Sequence, residues 1–85
     1  MTRVNSAMLS QNVNKSVTLV GRVVSFAGSY CVVEACDGGQ VQVLLVPGSH
    51  IDGDNCVVEV MGVVNQDMSV QEQASTKFDH DYGTL

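Results

Sequence analysis

The sequence predicts an all-β protein, and three of its features support this fold class. Valine is the main apolar residue, and valine packs well on a pleated sheet but loses side-chain freedom in a helix. Five short apolar segments recur at intervals of roughly ten residues, with turn residues between them. No segment has the pattern of a long helix. The chain is therefore expected to form a small barrel or sandwich.

The length of the chain, 85 residues, predicts one domain with a thin core, because a chain of this size buries only about two-thirds of its unfolded surface. Hydrophobic residues make up 45% of the chain, which is too many for a disordered protein. We divide this single domain into an N-terminal arm (1–15), a barrel (16–78) and a tail (79–85).

The predicted strands follow one another with short turns between them. Asn5 or Ser6 can cap a helical turn in the arm, which is too short to be stable unless it packs on something. The second and third strands are joined by the hairpin turn "CDGGQ", in which a glycine can take a positive φ. Alternation puts Val70, Glu72 and Ala74 on one face of the last strand. The five strands span 16–26, 30–36, 40–46, 56–64 and 69–78.

Two of the best strands carry a glycine in the middle, Gly21 in the first strand and Gly62 in the fourth. Glycine weakens a strand, and it marks a bulge, a sharp bend or a close backbone approach. The first strand is also apolar on both faces, which is typical of a strand that turns a corner between two sheets. We therefore interpret Gly21 and Gly62 as structural glycines that bend strands into a small closed barrel.

The number of strands and their connections indicate the architecture. Five strands with one longer crossover, between the third and the fourth, fit a Greek-key barrel of the OB type. They are too few for an immunoglobulin-like sandwich, which needs about seven strands. An SH3-like barrel has the same number of strands, so that alternative stays open. We predict the five-stranded OB barrel, preceded by the short helical turn.

The balance of charge is acidic, with nine acidic and four basic residues and a formal net charge of −5. Affinity for a nucleic acid backbone comes largely from Lys and Arg side chains that displace counterions from phosphates. Few bases in an acidic chain argue against strong independent binding of nucleic acid. The four bases are Arg3, Lys15, Arg22 and Lys77.

The sequence contains no recognisable catalytic or metal-binding motif. Cys31, Cys36 and Cys56 form no C-x-x-C pair, and His50 and His80 do not stand at zinc-ligand spacing. We interpret the cysteines as small hydrophobic residues or thiols; the alternative is one disulfide and one thiol. We predict a protein that is not an enzyme, with no catalytic residue, metal, cofactor or small-molecule substrate. No apolar run approaches the ~20 residues that span a bilayer, so we expect no membrane partner and a cytosolic or nuclear protein.

Several short stretches resemble one known family in order along nearly the whole chain. The arm carries R-x-N-x-x-M-L, the first strand V-G-R and the fourth strand V-E-V-x-G, and an acidic step with "DYGTL" follows the last strand. Together they resemble the small subunit of replication protein A, the eukaryotic single-stranded DNA-binding heterotrimer. The residues concerned are Arg3, Asn5, Met8, Leu9, Val20, Gly21, Arg22, Asp37, Gly38, Val58, Glu59, Val60, Gly62 and Phe78.

The resemblance implies an OB barrel followed by a C-terminal helix that bundles with helices of the middle and large subunits. This chain stops at Leu85, about where such a helix would begin, so we expect the assembly helix to be absent from it. The implied partners are the middle and large subunits, and most single-stranded DNA would be bound through them. The implied role is in DNA replication, repair and recombination, in the nucleus.

Four residues are candidates for direct contact with DNA. OB barrels bind single strands with a basic groove and with aromatic side chains on which bases stack. The candidates are Arg22, Phe26, Tyr30 and Lys77. In the alternative interpretation, which the acidic charge favours, Phe26 fills the barrel end, Tyr30 covers it, and the two bases are ordinary surface charges.

Four apolar residues in the polar flanks, Met8, Leu9, Tyr82 and Leu85, are candidates for a partner interface. The alternative is that they only cap the ends of the barrel. The resemblance favours an interface for Tyr82 and Leu85 in particular.

The sequence therefore predicts a non-catalytic OB-fold subunit that stabilises the core of a replication protein A-like trimer. Two alternatives remain. One is a telomere- or telomerase-associated relative of the same subunit, similar to Ten1. The other is an isolated OB domain that binds single-stranded oligonucleotides directly.

Overall fold

A computed structural model of the chain describes residues 2–78, which form six strands and one short 3-10 helix. Residues 79–85 lie outside this range, and with them the predictions for Tyr82, Leu85 and the C-terminal helix. The elements are β1 (Thr2–Val4), the 3-10 helix (Ser6–Gln11), β2 (Ser16–Phe26), β3 (Tyr30–Ala35), β4 (Gln40–Leu44), β5 (Val57–Val64) and β6 (Val70–Lys77).

The five predicted strands are β2 to β6, and they close into a barrel in the order β2, β3, β4, β6, β5 and back to β2. The long strand β2 makes this closure possible, because it takes part in two ladders. Its first part pairs with β5 and its last part pairs with β3. Gly21 belongs to both ladders, opposite Ala35 and Val58, so the predicted corner of the barrel lies at this residue.

The core consists of the inward-facing side chains of all six strands, and most of them are valines. Alternation holds closely along β4 and β5, where every second residue is buried. Leu9 of the 3-10 helix and Ile51 of the β4–β5 connection complete the core from outside the strands. A valine-rich sequence therefore builds a barrel interior with little aromatic material.

The N-terminal arm contains more structure than a helical turn. Asn5 caps the 3-10 helix by accepting a hydrogen bond from the Met8 N–H at 3.2 Å, which confirms one of the two predicted caps. The sequence did not predict β1, which pairs in parallel with β2 from Thr2 opposite Val17 to Val4 opposite Leu19.

The predicted alternation along the last strand was wrong beyond Glu72. Met61 of β5 stands opposite Ala74 and Gly62 stands opposite Glu72, so Gln73 is an extra residue in a β-bulge. The bulge changes the side of the strand that faces inward. Ser75 is therefore buried and Ala74 is exposed, the reverse of the expectation from a regular strand.

Two features are absent from residues 2–78. No helix in this range is long and apolar enough to cross a membrane. The same residues contain no group of three or more His, Cys, Asp or Glu side chains that could hold a metal ion.

Candidate nucleic-acid interface

The candidate interface is the outer face of β3 and β4. In OB folds the second and third barrel strands bind ligands, together with the loop after the first strand and the loop before the last. In this chain those loops are 27–29 and 65–69. We call the outer side of β3 and β4, with the adjoining part of β2 and these two loops, the β3–β4 face. Its cross-strand pairs are Tyr30 with Leu44, Val32 with Gln42 and Glu34 with Gln40.

Tyr30 begins β3 at the edge of the 27–29 loop, and 39% of its surface is exposed. Ala27 donates its N–H to the Tyr30 carbonyl at 2.9 Å, which fixes the backbone of the turn. An aromatic ring with an exposed surface on this face is suited to stacking against a base. The role of Tyr30 in binding stays a prediction.

Arg22 lies on the same side of the sheet as Tyr30, because it pairs with Glu34 of β3. Glu34 follows Tyr30 by four positions, a distance of about 13 Å along a strand. Arg22 and Tyr30 therefore stand at opposite ends of one strip of the β3–β4 face. The Glu34 carboxylate beside Arg22 reduces the positive potential there, so this strip attracts phosphate weakly.

Phe26 falls on the other side of the sheet. It pairs with Cys31, whose side chain is completely buried, while Val24 is the extra residue of a bulge in β2. Phe26 is 37% exposed, as expected of a ring at the rim of the barrel. The alternative that Phe26 fills the barrel end stays a prediction.

Lys77 lies apart from the other candidates, at the end of β6. It stands opposite Val58 of β5, and its Nζ is 3.1 Å from the Asp52 carboxylate in the β4–β5 connection. The structure thus brings Arg22 and Tyr30 to one face and leaves Phe26 and Lys77 elsewhere.

The loop 65–69 adds a residue that the sequence analysis missed. Met68 is 38% exposed and has a φ of 69°, a left-handed conformation that methionine rarely adopts. Asp67 stabilises the loop by accepting hydrogen bonds from the hydroxyl and N–H of Ser69, at 2.6 and 3.0 Å. The hydroxyl of Ser69 is the main reason why the pKa of Asp67 lies below its usual value. No local sequence pattern signals this conformation.

The candidates for a partner interface that the structure describes are Met8 and Leu9. Leu9 is only 3% exposed and belongs to the core, and Met8 packs against that core. Within the chain both residues therefore contribute to the packing of the barrel. A partner contact for them stays a prediction, and the exposed part of Met8 is what they offer to it.

Gly21 and Gly62 lie where a neighbouring strand leaves no room for a side chain. A Cβ atom at Gly21 would collide with the backbone carbonyl of Glu34, and one at Gly62 with that of Gln71. Neither glycine has a positive φ, so close approach is the physical reason for a glycine at both positions. That these glycines are required for barrel closure stays a prediction.

The three cysteines are free thiols. Burial, and secondly the charge of Glu72, raise the pKa of Cys31 to about 11. Burial is also the main cause of a raised pKa at Cys56, and Cys36 is exposed on the hairpin. Thiols with raised pKa values are poor nucleophiles.

The strand order and the β3–β4 face define an OB fold, a class of barrels that bind oligonucleotides and oligosaccharides. Within that class, residues 1–84 match the family model described as Replication factor A protein 3. The chain belongs to this family. Among curated proteins, no sequence matches it significantly.

Solved structures agree with this assignment. The chain resembles a protein in the structure of U. maydis replication protein A bound to single-stranded DNA, with a TM-score of 0.87 and 29% identity. The match covers 95% of this chain and 75% of that chain. It resembles the telomere capping protein Ten1 from Saccharomyces pombe with a TM-score of 0.73 and 12% identity, covering 89% of this chain and 79% of that one. It resembles a chain of the S. pombe Stn1-Ten1 complex with a TM-score of 0.74 and 12% identity, and the match covers 98% of this chain and 85% of that chain. The last two likenesses concern the fold alone.

Proposed function

We propose that this chain is a non-catalytic small subunit of a replication protein A-like complex that binds single-stranded DNA. Membership of the Replication factor A protein 3 family, over residues 1–84, is the observation that carries the proposal. The 29% identity to a chain from replication protein A bound to single-stranded DNA supports it. The complex would act in DNA replication, repair and recombination in the nucleus.

The charges of the chain support an accessory role in DNA binding. Two of the four bases already form ion pairs, Arg3 with Glu59 at 3.3 Å and Lys77 with Asp52 at 3.1 Å. On the β3–β4 face, Arg22 stands directly opposite an acidic residue. Middle and large partner subunits would therefore supply most of the affinity for DNA, and this chain would stabilise their assembly.

A salt titration of the isolated chain with a single-stranded oligonucleotide tests this division of labour. We expect weak binding, with a slope that corresponds to few released counterions. Sub-micromolar affinity at physiological salt, with a slope showing several released ions, would overturn the accessory role. That result would favour an OB domain that binds oligonucleotides by itself.

Assembly is tested by co-expression with candidate middle and large subunits. The chain is compared with a version extended past Leu85 by the C-terminal helix of a family member. We expect the extended version to be retained more strongly on the tagged partners. Equal retention of both versions would show that the proposed assembly helix is not needed.

A telomeric role is the second candidate, and similarity to Ten1 is the observation that favours it. That similarity is one of fold, at 12% identity, whereas the chain from replication protein A shares 29%. The proteins that co-purify with the chain from its own cells distinguish the two roles. Recovery of a Stn1-like partner without a large replication subunit would favour the telomeric one.

A further inference from the structure

A cavity of about 240 Å³ lies between β6 and the connection from β4 to β5. Its wall includes Ser49 and His50 from the connection and Glu72, Gln73 and Ser75 from β6. It shares no residue with the β3–β4 face. It exceeds what one water molecule needs, and it is smaller than the 300–1,000 Å³ or so of a pocket for a drug-sized ligand. One side chain is an occupant of suitable size.

Glu72 supplies the acidic group of this cavity, and only 1% of its surface is exposed. One carboxylate oxygen accepts the Val46 N–H at 3.0 Å, and the other accepts the Ser49 hydroxyl at 2.7 Å. Each carboxylate oxygen can accept two hydrogen bonds, so each keeps one acceptor direction. The ion pairs among residues 2–78 join Arg3 to Glu59 and Lys77 to Asp52, and neither includes Glu72. A buried carboxylate is stabilised strongly by a cation.

Ser75 provides a second, independent sign of a ligand. It is 9% exposed, and although its hydroxyl oxygen is buried, residues 2–78 provide no hydrogen-bond partner for it. More than about 90% of buried polar groups in proteins have a partner. The bulge at Gln73 turns Ser75 inward, beside the same cavity that Glu72 lines. Two buried polar residues with unused hydrogen-bonding capacity therefore line the same cavity.

We propose that this cavity binds the guanidinium group of an arginine side chain from a partner protein. Glu72, Ser75 and the Gln73 carboxamide place three side chains with acceptor oxygens in the wall of the cavity. Arginine has five N–H donors in a planar group, which suits several separated acceptors better than the compact ammonium of lysine. A guanidinium is also less strongly hydrated than an ammonium, so it loses less on entering a buried site.

The edge of β6 beside the cavity favours a protein as the source of the arginine, because an unpaired strand edge can bind an extended peptide. β4 pairs with β6 at only two positions, Val43 with Val70 and Leu44 with Gln71. Beyond Gln71, residues 2–78 place no strand along this edge. An extended segment of a partner can pair with such an edge through its backbone and insert a side chain into a neighbouring pocket.

The test is an NMR titration of the isotope-labelled chain with N-acetyl-arginine amide, using N-acetyl-citrulline amide as the neutral control of nearly equal shape. We expect saturable shifts of the amide signals of Val46, Ile51 and Ser75. The citrulline compound should bind about tenfold more weakly, because its hydrogen bonds to a carboxylate lack a charged donor. Equal binding of the two compounds, or no shifts at these amides, overturns the proposal.

Two variants test the residues themselves. Glu72→Gln should weaken binding of the arginine compound about tenfold, and Glu59→Gln on β5 is the matched control that should not. Ser75→Ala should weaken binding about threefold without loss of thermal stability, since its hydroxyl has no partner among residues 2–78. If Glu72→Gln does not fold, Ser75→Ala and the citrulline comparison decide. Unchanged binding in Ser75→Ala together with equal binding of citrulline overturns the site.

Discussion

The hydroxyl of Ser6 lies 2.7 Å from a carboxylate oxygen of Asp37, so the N-terminal arm is hydrogen-bonded to the hairpin between β3 and β4. The same carboxylate accepts the N–H of Ala7 at 3.1 Å and that of Gly39 at 3.2 Å. These hydrogen bonds, and that of the Ser6 hydroxyl most of all, hold the pKa of Asp37 below its usual value. One aspartate thus stabilises the hairpin turn and the start of the 3-10 helix together.

The low pKa of Asp37 predicts how the attachment of the arm depends on pH. A carboxylate whose pKa is lower in the folded state stabilises the fold above the unfolded pKa, which is about 3.9 for Asp. That contribution is lost as the pH falls from there through the lower folded value. We expect Asp37→Asn to lower the Tm at pH 7 and to flatten the fall of Tm below about pH 4. The exposed Asp54→Asn is the control, and identical acid profiles for the two variants would contradict the role of Asp37.

The burial of Leu9 in the core predicts that the arm contributes to the stability of the barrel. Its side chain is 3% exposed within the core, and leucine-to-alanine changes in a core cost about 2–5 kcal/mol of unfolding free energy. We expect a loss in this range for Leu9→Ala in urea unfolding. Gln11→Ala, at an exposed position of the same helix, should stay within about 0.5 kcal/mol of the original chain. An unchanged midpoint for Leu9→Ala would show that the arm detaches from the barrel in solution.

The close approach of β3 to Gly21 predicts that any larger side chain at this position of β2 destabilises the fold. A methyl group there meets the Glu34 carbonyl of the paired strand, and backbone atoms cannot move aside without disturbing the ladder. We expect Gly21→Ala to lower the unfolding free energy by about 1–3 kcal/mol, and Gly21→Val to lower it more. Gly53→Ala is the matched control, because a Cβ at Gly53 has open space and should change stability by less than about 0.5 kcal/mol. A fully stable Gly21→Val would contradict the close approach of β3 at this residue and the role of the glycine in bending the strand.

The five barrel strands, and the buried side chains of β4 and β5, could be predicted because both depend on local patterns. Alternating valines mark a strand with one buried face, and Gly38 in the hairpin has the positive φ of 83° that the turn requires. Strand bounds therefore agree with the structure to within two residues. The short β1 could not be predicted, since three residues carry no reliable period and its parallel partner is distant in sequence.

Which candidate residues share one side of the sheet depends on how neighbouring strands pair. The sequence of a single strand does not show this pairing register. Arg22 and Phe26 are four residues apart, so in a regular strand both would point to one side. The bulge at Val24 moves Phe26 to the side of Cys31 and leaves Arg22 on the side of Tyr30. In the same way, Asp37 and Ser6 are far apart in sequence, and their hydrogen bond follows only from the packed arm.

The cysteines predict a clear order of chemical reactivity. Cys31 is completely buried with a pKa raised to about 11, whereas Cys36 is exposed. Since the thiolate is the reactive form, Cys31 should react with an aromatic disulfide reagent at pH 7.5 at least about 100-fold more slowly than Cys36. Mass mapping of the labelled chain measures both rates, and Cys36→Ser should remove the fast phase. Rapid labelling of Cys31 in the native chain would mean that β3 opens readily.

Arg22 and Tyr30 predict a small but specific contribution to DNA binding within the assembled complex. Arg22→Gln should reduce the salt dependence of binding by about one counterion, and Tyr30→Leu should weaken binding about fivefold, the lower limit for loss of one stacked base. Arg3→Gln is the control for charge, because Arg3 is already paired with Glu59, and Phe26→Leu is the control for an aromatic ring on the other side of the sheet. Equal effects of Arg3→Gln and Arg22→Gln on the salt slope would show that the chain acts only through its net charge. In that case the β3–β4 face would make no direct contact with the strand.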